Sequence, residues 1–143
     1  MIQAANDELE EITPAAKTSP EVMTVRAAIY LQAEAWQLLR EVGEFLVRNW
    51  PEEAQHWIWL AYGTRRCRSM EEAEQLLLDA LLLHDRVPRI HFNLACYAAQ
   101  LGNLTAARDR LSRAIELDRN VLLAALDDPD LEPLWAALGK PTP

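Results

Sequence analysis

Glycine is scarce, with four in 143 residues, and no long run of β-branched residues occurs. Together these absences argue against a sheet. The longest apolar stretches, "WIWLAY" and "LLLDALLLH", are far shorter than the ~20 residues that cross a bilayer. Cysteine is limited to Cys67 and Cys96, in no C-x-x-C spacing, which fits reduced thiols in a reducing compartment. Positive charge is the other deficit. A net charge of −8 opposes a nucleic-acid or anionic-membrane binder, because phosphate neutralisation needs a basic face. The one dense basic cluster, Arg65, Arg66 and Arg68 of "RRCR", reads as a solvated helix end. The first residues are acidic and lack the apolar core of a signal peptide, so the expected location is cytoplasmic.

What fills the chain is Ala, Leu, Glu, Arg and Gln, all strong helix formers. Half the residues are apolar and a quarter are charged, enough for one compact all-α unit. Shifting the sequence by 34 residues lays "WIWLAYGTRRCRSMEEAEQLLLDALLL" on "HFNLACYAAQLGNLTAARDRLSRAIEL" without a gap. Leu60 meets Leu94, Ala61 meets Ala95, Ala73 meets Ala107, Leu77 meets Leu111, Ala80 meets Ala114 and Leu83 meets Leu117. A fixed period of this size marks a helical solenoid. Large apolar residues three and four apart give each helix a buried stripe, and the alanines stand where two helices come close. Ser69 with Glu72 reads as a capping box, and Gly102 suits a left-handed helix end.

These two units resemble tetratricopeptide repeats (TPRs). Trp57 matches that family's early Trp; Leu60–Ala61 and Leu94–Ala95 match its Leu–small pair. Ala73, Ala80, Ala107 and Ala114 match its later small positions. His91 stands where Trp is usual, Arg68 where the turn glycine is, and Asp85 and Arg119 where the closing proline is. A diverged repeat precedes them, with Ser19–Pro20 as its start, Ala27 aligned with Ala61, and Pro51 at the closing position. After residue 118, Asp128–Pro129 starts a last helix with a stripe of Leu131, Leu134, Trp135 and Leu138. The segment "ALDDPDLEPLW", like the "VR…IY…W" start, also resembles small bacterial TPR proteins. The resemblance implies an all-α, right-handed superhelix of about three hairpins with a C-terminal capping helix. Its expected divisions are a disordered acidic tail over 1–18 and a single domain over 19–138, with a short tail over 139–143. Within the domain, repeats fall at about 20–53, 54–87 and 88–121, and the cap at about 128–138.

The reactive-looking stretch "HFNLACYAAQ" (91–100) is then the first helix of a repeat. His91 and Cys96 are five apart, a poor spacing for one helical face. No catalytic residue, cofactor or metal site is expected. The three histidines lie apart, and "DDPD" lacks the alternating ligands, glycine and distal Glu of a calcium loop. No glycine-rich phosphate loop is present. Trp36, Trp57 and Trp135 fall on core stripes, while Trp50 and Trp59 have no clear place.

On the TPR pattern the concave groove would be lined by Gln55, Ile58, Tyr62 and Arg65, then by Arg89, Phe92, Cys96 and Ala99. An apolar-aromatic centre edged with arginines suits a peptide or helix bearing apolar anchors and some acidic residues. The carboxylate clamp of chaperone-binding TPRs is not matched, because Ile58, Tyr62 and Asn93 hold its positions and only the Asn survives. The implied function is a cytoplasmic adaptor for a protein or peptide, with no nucleic acid or membrane partner and with pairing into a homodimer left open. The alternative is a small TPR chaperone of the type III secretion translocator class, which acidity and size would fit.

Overall fold

The computed structural model describes residues 2–10 and 18–142, and every regular element among them is helical. The chain forms two compact units, Met1–Ser69 and Met70–Pro143. The sequence suggests one domain over 19–138.

The first unit holds α1 (Ile2–Glu10), α2 (Pro20–Gln32), α3 (Trp36–Asn49) and α4 (Ala54–Cys67). Helix α1 lies inside the segment expected to be a disordered tail; residues 11–17 are outside the described residues. Its Ile2 packs against the unit's core, and Gln3 hydrogen-bonds Asp7 one turn on. Ser19 accepts the Val22 N–H and Pro20 occupies the first turn, which starts α2 where the sequence places the start. Ala27, Tyr30, Leu39, Val42 and Leu46 form the core, with Trp36, Trp50, Trp59 and Tyr62 against it. Helices α3 and α4 approach unusually closely. A Cβ on Gly43 would lie 2.7 Å from the Leu60 Cα, and one on Gly63 would lie 2.7 Å from the Arg40 nitrogen. Only a residue without a side chain fits either place.

The second unit holds α5 (Met70–His84), α6 (Pro88–Gln100), α7 (Leu104–Leu117) and α8 (Val121–Asp127), a 3₁₀ turn (Pro129–Leu131) and α9 (Glu132–Leu138). Helix α6 is its centre, packed by α5, α7, the 3₁₀ turn and α9. Ile90, Leu94, Tyr97, Leu111, Leu131 and Leu134 are buried there. The Trp135 indole donates to the Ala125 carbonyl at 3.0 Å and ties α9 to α8.

The period is visible in the helix starts. First helices begin at residues 20, 54 and 88 and second helices at 36, 70 and 104, each 34 residues from the one before. Equivalent positions behave alike: Ala27, Ala61 and Ala95 are 0 % exposed, as are Leu39, Ala73 and Ala107, and Leu46, Ala80 and Ala114.

Candidate partner-binding faces

The eight expected groove residues separate into accessible and covered ones. In α4, Gln55 is half-buried while Ile58 is buried. Tyr62 is packed rather than presented. Its ring lies 6.0 Å from that of Trp36, and it belongs to the periphery of the first core. The Arg65 guanidinium sits 5.9 Å over Tyr62, and that of Arg66 sits 5.2 Å over Trp36. The end of α4 therefore stacks its own cations on its own aromatic rings, an arrangement more specific than a plain solvated helix end.

In α6, Arg89 is exposed and Phe92 half-buried, but Cys96 and Ala99 are buried at 3 % and 2 % exposure. The C-terminal segment accounts for this. Asp128 takes a weak hydrogen bond from the Cys96 thiol at 3.9 Å, and the Gln100 side chain donates to the Asp130 carbonyl at 2.9 Å. The 3₁₀ turn packs on α6 beside them. Ile58, Cys96 and Ala99, three of the expected groove residues, are thus buried. In the repeat pattern the position of Cys96 points outward, but the pattern carries no information about the nonrepeating Asp128 segment that reaches it.

His91 has a structural partner. Its Nε2 lies 2.7 Å from the Asp85 carbonyl, which can only accept, so Nε2 carries the proton. One period earlier, the Trp57 indole donates to the Pro51 carbonyl at 2.8 Å. Histidine thus supplies the same N–H as the aligned tryptophan, across the same six residues.

Cys96, Asp128 and Asp130 bring one ligand atom each to within 4.8 Å of one another, the one such group among the described residues. Asp128 Oδ1 is engaged by the Asp130 N–H at 2.9 Å, which starts the 3₁₀ turn. "DDPD" therefore acts locally as a helix-start motif.

A feature not expected from the sequence lies in the first unit. A cleft of about 630 Å³ opens between the start of α2, the loop after α3 and the first half of α4. Pro20, Glu21, Thr24, Trp50, Glu52, Glu53, Gln55, His56 and Trp59 line it. Gln55 is the only expected groove residue among them. The signal was present in "WPEEAQHWIW" (50–59), which places Glu52 and Glu53 between Trp50 and the tryptophans Trp57 and Trp59 at a helix start.

Architecture and faces define an all-α helical-repeat protein. Among solved structures, the chain resembles "MamA MSR-1 C2", with a TM-score of 0.69 and 21 % identity over 84 % of this chain and 69 % of that one. It also resembles "MamA RS-1 ArsTM double mutant", with a TM-score of 0.72 and 17 % identity over 84 % of this chain and 67 % of that one. At such identity the likeness establishes the fold. No protein-family model and no curated protein matches the chain. No described helix is long and apolar enough to cross a membrane.

Proposed function

We propose that this chain is a TPR-type interaction module, a non-enzymatic cytoplasmic adaptor that holds a segment of a partner protein along the faces of its first helices. One observation carries the proposal. The repeat position held by Glu21, Gln55 and Arg89 is accessible in all three first helices, while that of Ala27, Ala61 and Ala95 is fully buried in all three. Each first helix thus turns the same register inward and keeps the same register available for contact. Repeat proteins bind extended segments through rows of such positions.

The test uses the full chain as bait in extract from its native host, beside an Arg89→Glu/Phe92→Ala variant. Arg89 is exposed and Phe92 only half-buried, so the variant should keep its helical circular dichroism, which is measured alongside. Loss of specific partners from a folded variant supports the proposal. Unchanged capture removes the α6 face from it.

A further inference from the structure

The cleft of the first unit carries a chemistry of its own. It gathers two indoles, Trp50 and Trp59, and three carboxylates, Glu21, Glu52 and Glu53, and no lysine or arginine is among its lining residues. At the other end of α4, Arg65 and Arg66 cover Tyr62 and Trp36 from within the chain. Here the lining residues bring indoles and negative charge together without a cation among them.

Both indoles are held in place. Trp50 meets Phe45 edge-on with centroids 6.0 Å apart at 61°, and Trp59 lies nearly parallel to His56 at 6.2 Å and 22°. His56 is 5 % exposed, and its Nδ1 donates to the Trp50 carbonyl at 2.8 Å. One buried imidazole therefore positions the backbone of the first tryptophan and the ring of the second. Each indole also packs against the core cluster. Rings fixed on folding lose little further freedom when a ligand arrives.

The charges limit what can enter. Glu53 accepts the Gln55 N–H only at 3.5 Å, and Glu21 and Glu52 are exposed. An acidic segment would be repelled, and a purely apolar one would desolvate carboxylates without compensation. A cation with an aliphatic stem satisfies both parts: methylenes lie on the indoles, and the charge meets ring faces and carboxylates. A cleft of this volume falls in the range of preformed ligand sites. We propose that it receives the side chain of a lysine or arginine from an extended segment of a partner protein. This rests on the interaction-module reading for the source of the side chain. It replaces the expected acidic partner with a basic one at this cleft.

The test is a titration of the full chain, ¹⁵N-labelled at tryptophan, with acetyl-Ala-Ala-Lys-Ala-Ala-amide followed by NMR. The Trp50 and Trp59 indole N–H signals should move saturably. The same peptide with norleucine or glutamate for lysine should bind at least about tenfold more weakly, as removal of the charge implies. Because Trp59 helps hold the core, the diagnostic variant is Glu21→Gln/Glu52→Gln, which alters only exposed carboxylates. Each exposed charge contributes roughly twofold to fivefold, so the pair should weaken the lysine peptide about tenfold. Norleucine binding as tightly as lysine, a double variant that binds unchanged, or indole signals that never move would each overturn the proposal. None of those results bears on partner capture through Arg89 and Phe92, so the interaction-module reading would stand. n-Butylammonium binding as tightly as the peptide would overturn the assignment to a protein segment.

Discussion

Residues 34, 68 and 102 occupy one position of the period and hold Glu, Arg and Gly. Glu34 and Gly102 both have left-handed backbones, with φ of 56° and 83°. Their hydrogen bonds also repeat. Glu34 N–H donates to the Leu31 carbonyl at 3.2 Å, and Gly102 N–H to that of Ala99 at 3.1 Å. The next residue then closes the turn, Ala35 to Tyr30 and Asn103 to Ala98, both at 2.9 Å. This is the closure that a left-handed residue makes at a helix end. Arg68 leaves its helix differently, at φ −127°. A side chain in the left-handed region costs about 1–2 kcal/mol, while glycine's extra freedom in the unfolded chain costs about 0.4–1 kcal/mol. Glu34 is exposed, so Glu34→Gly loses no packing and should stabilise by about 0.5–1 kcal/mol. Nothing lies within 4 Å of a Cβ built on Gly102, so Gly102→Ala should destabilise by a similar amount through the backbone alone. Arg68→Gly relieves no left-handed strain and should destabilise by roughly 0.5 kcal/mol. Urea unfolding followed by circular dichroism measures all three. If Arg68→Gly stabilised as much as Glu34→Gly, or Glu34→Gly were neutral, left-handed strain at residue 34 would be refuted.

Gly63→Ala should destabilise by about 1–3 kcal/mol, because the new methyl meets the Arg40 nitrogen at 2.7 Å and the Trp36 carbonyl at 2.9 Å, both backbone atoms. A loss under about 0.5 kcal/mol in urea unfolding would contradict the close approach of α3 and α4. The two thiols should differ in reactivity toward a disulfide reagent. Exposed Cys67 should react quickly in the native protein, and buried Cys96 only as the chain unfolds. Two fast thiols would mean that the segment around Asp128 does not cover α6.

The parts of the fold governed by spacing were legible in the sequence. Small residues recur every 34 positions because two helices cannot approach with larger ones between them, and Ala27, Ala61 and Ala95 are accordingly fully buried. His91 was legible as a structural residue from its alignment with Trp57, although its carbonyl partner emerges only from the folded turn. Glycines 43 and 63 show the limit of the pattern. In the next repeat their positions hold Leu77 and Tyr97, so repetition could not reveal a helix crossing peculiar to the first unit. The candidate faces were less legible because accessibility depends on segments that do not repeat. Cys96 and Gln100 are met by the C-terminal segment, and Trp50 and Trp59 take their places from the loop after α3 and from His56.

That asymmetry bears on where a partner could be read. A repeated scaffold offers equivalent outward positions in every first helix, but only those left uncovered can discriminate among ligands. On α6 the chain's own Asp128 and Asp130 occupy the stretch around Cys96 and Gln100, while Arg89 and Phe92 stay accessible near its start. On α2 and α4 the early positions open instead onto a cleft that carries glutamates and indoles. Identical backbone registers thus present a cationic edge in one unit and an anionic, aromatic one in the other. A peptide taken by the cleft should therefore be basic and one taken at the start of α6 acidic, and exchanging the charged residue between two such peptides should exchange their preferences.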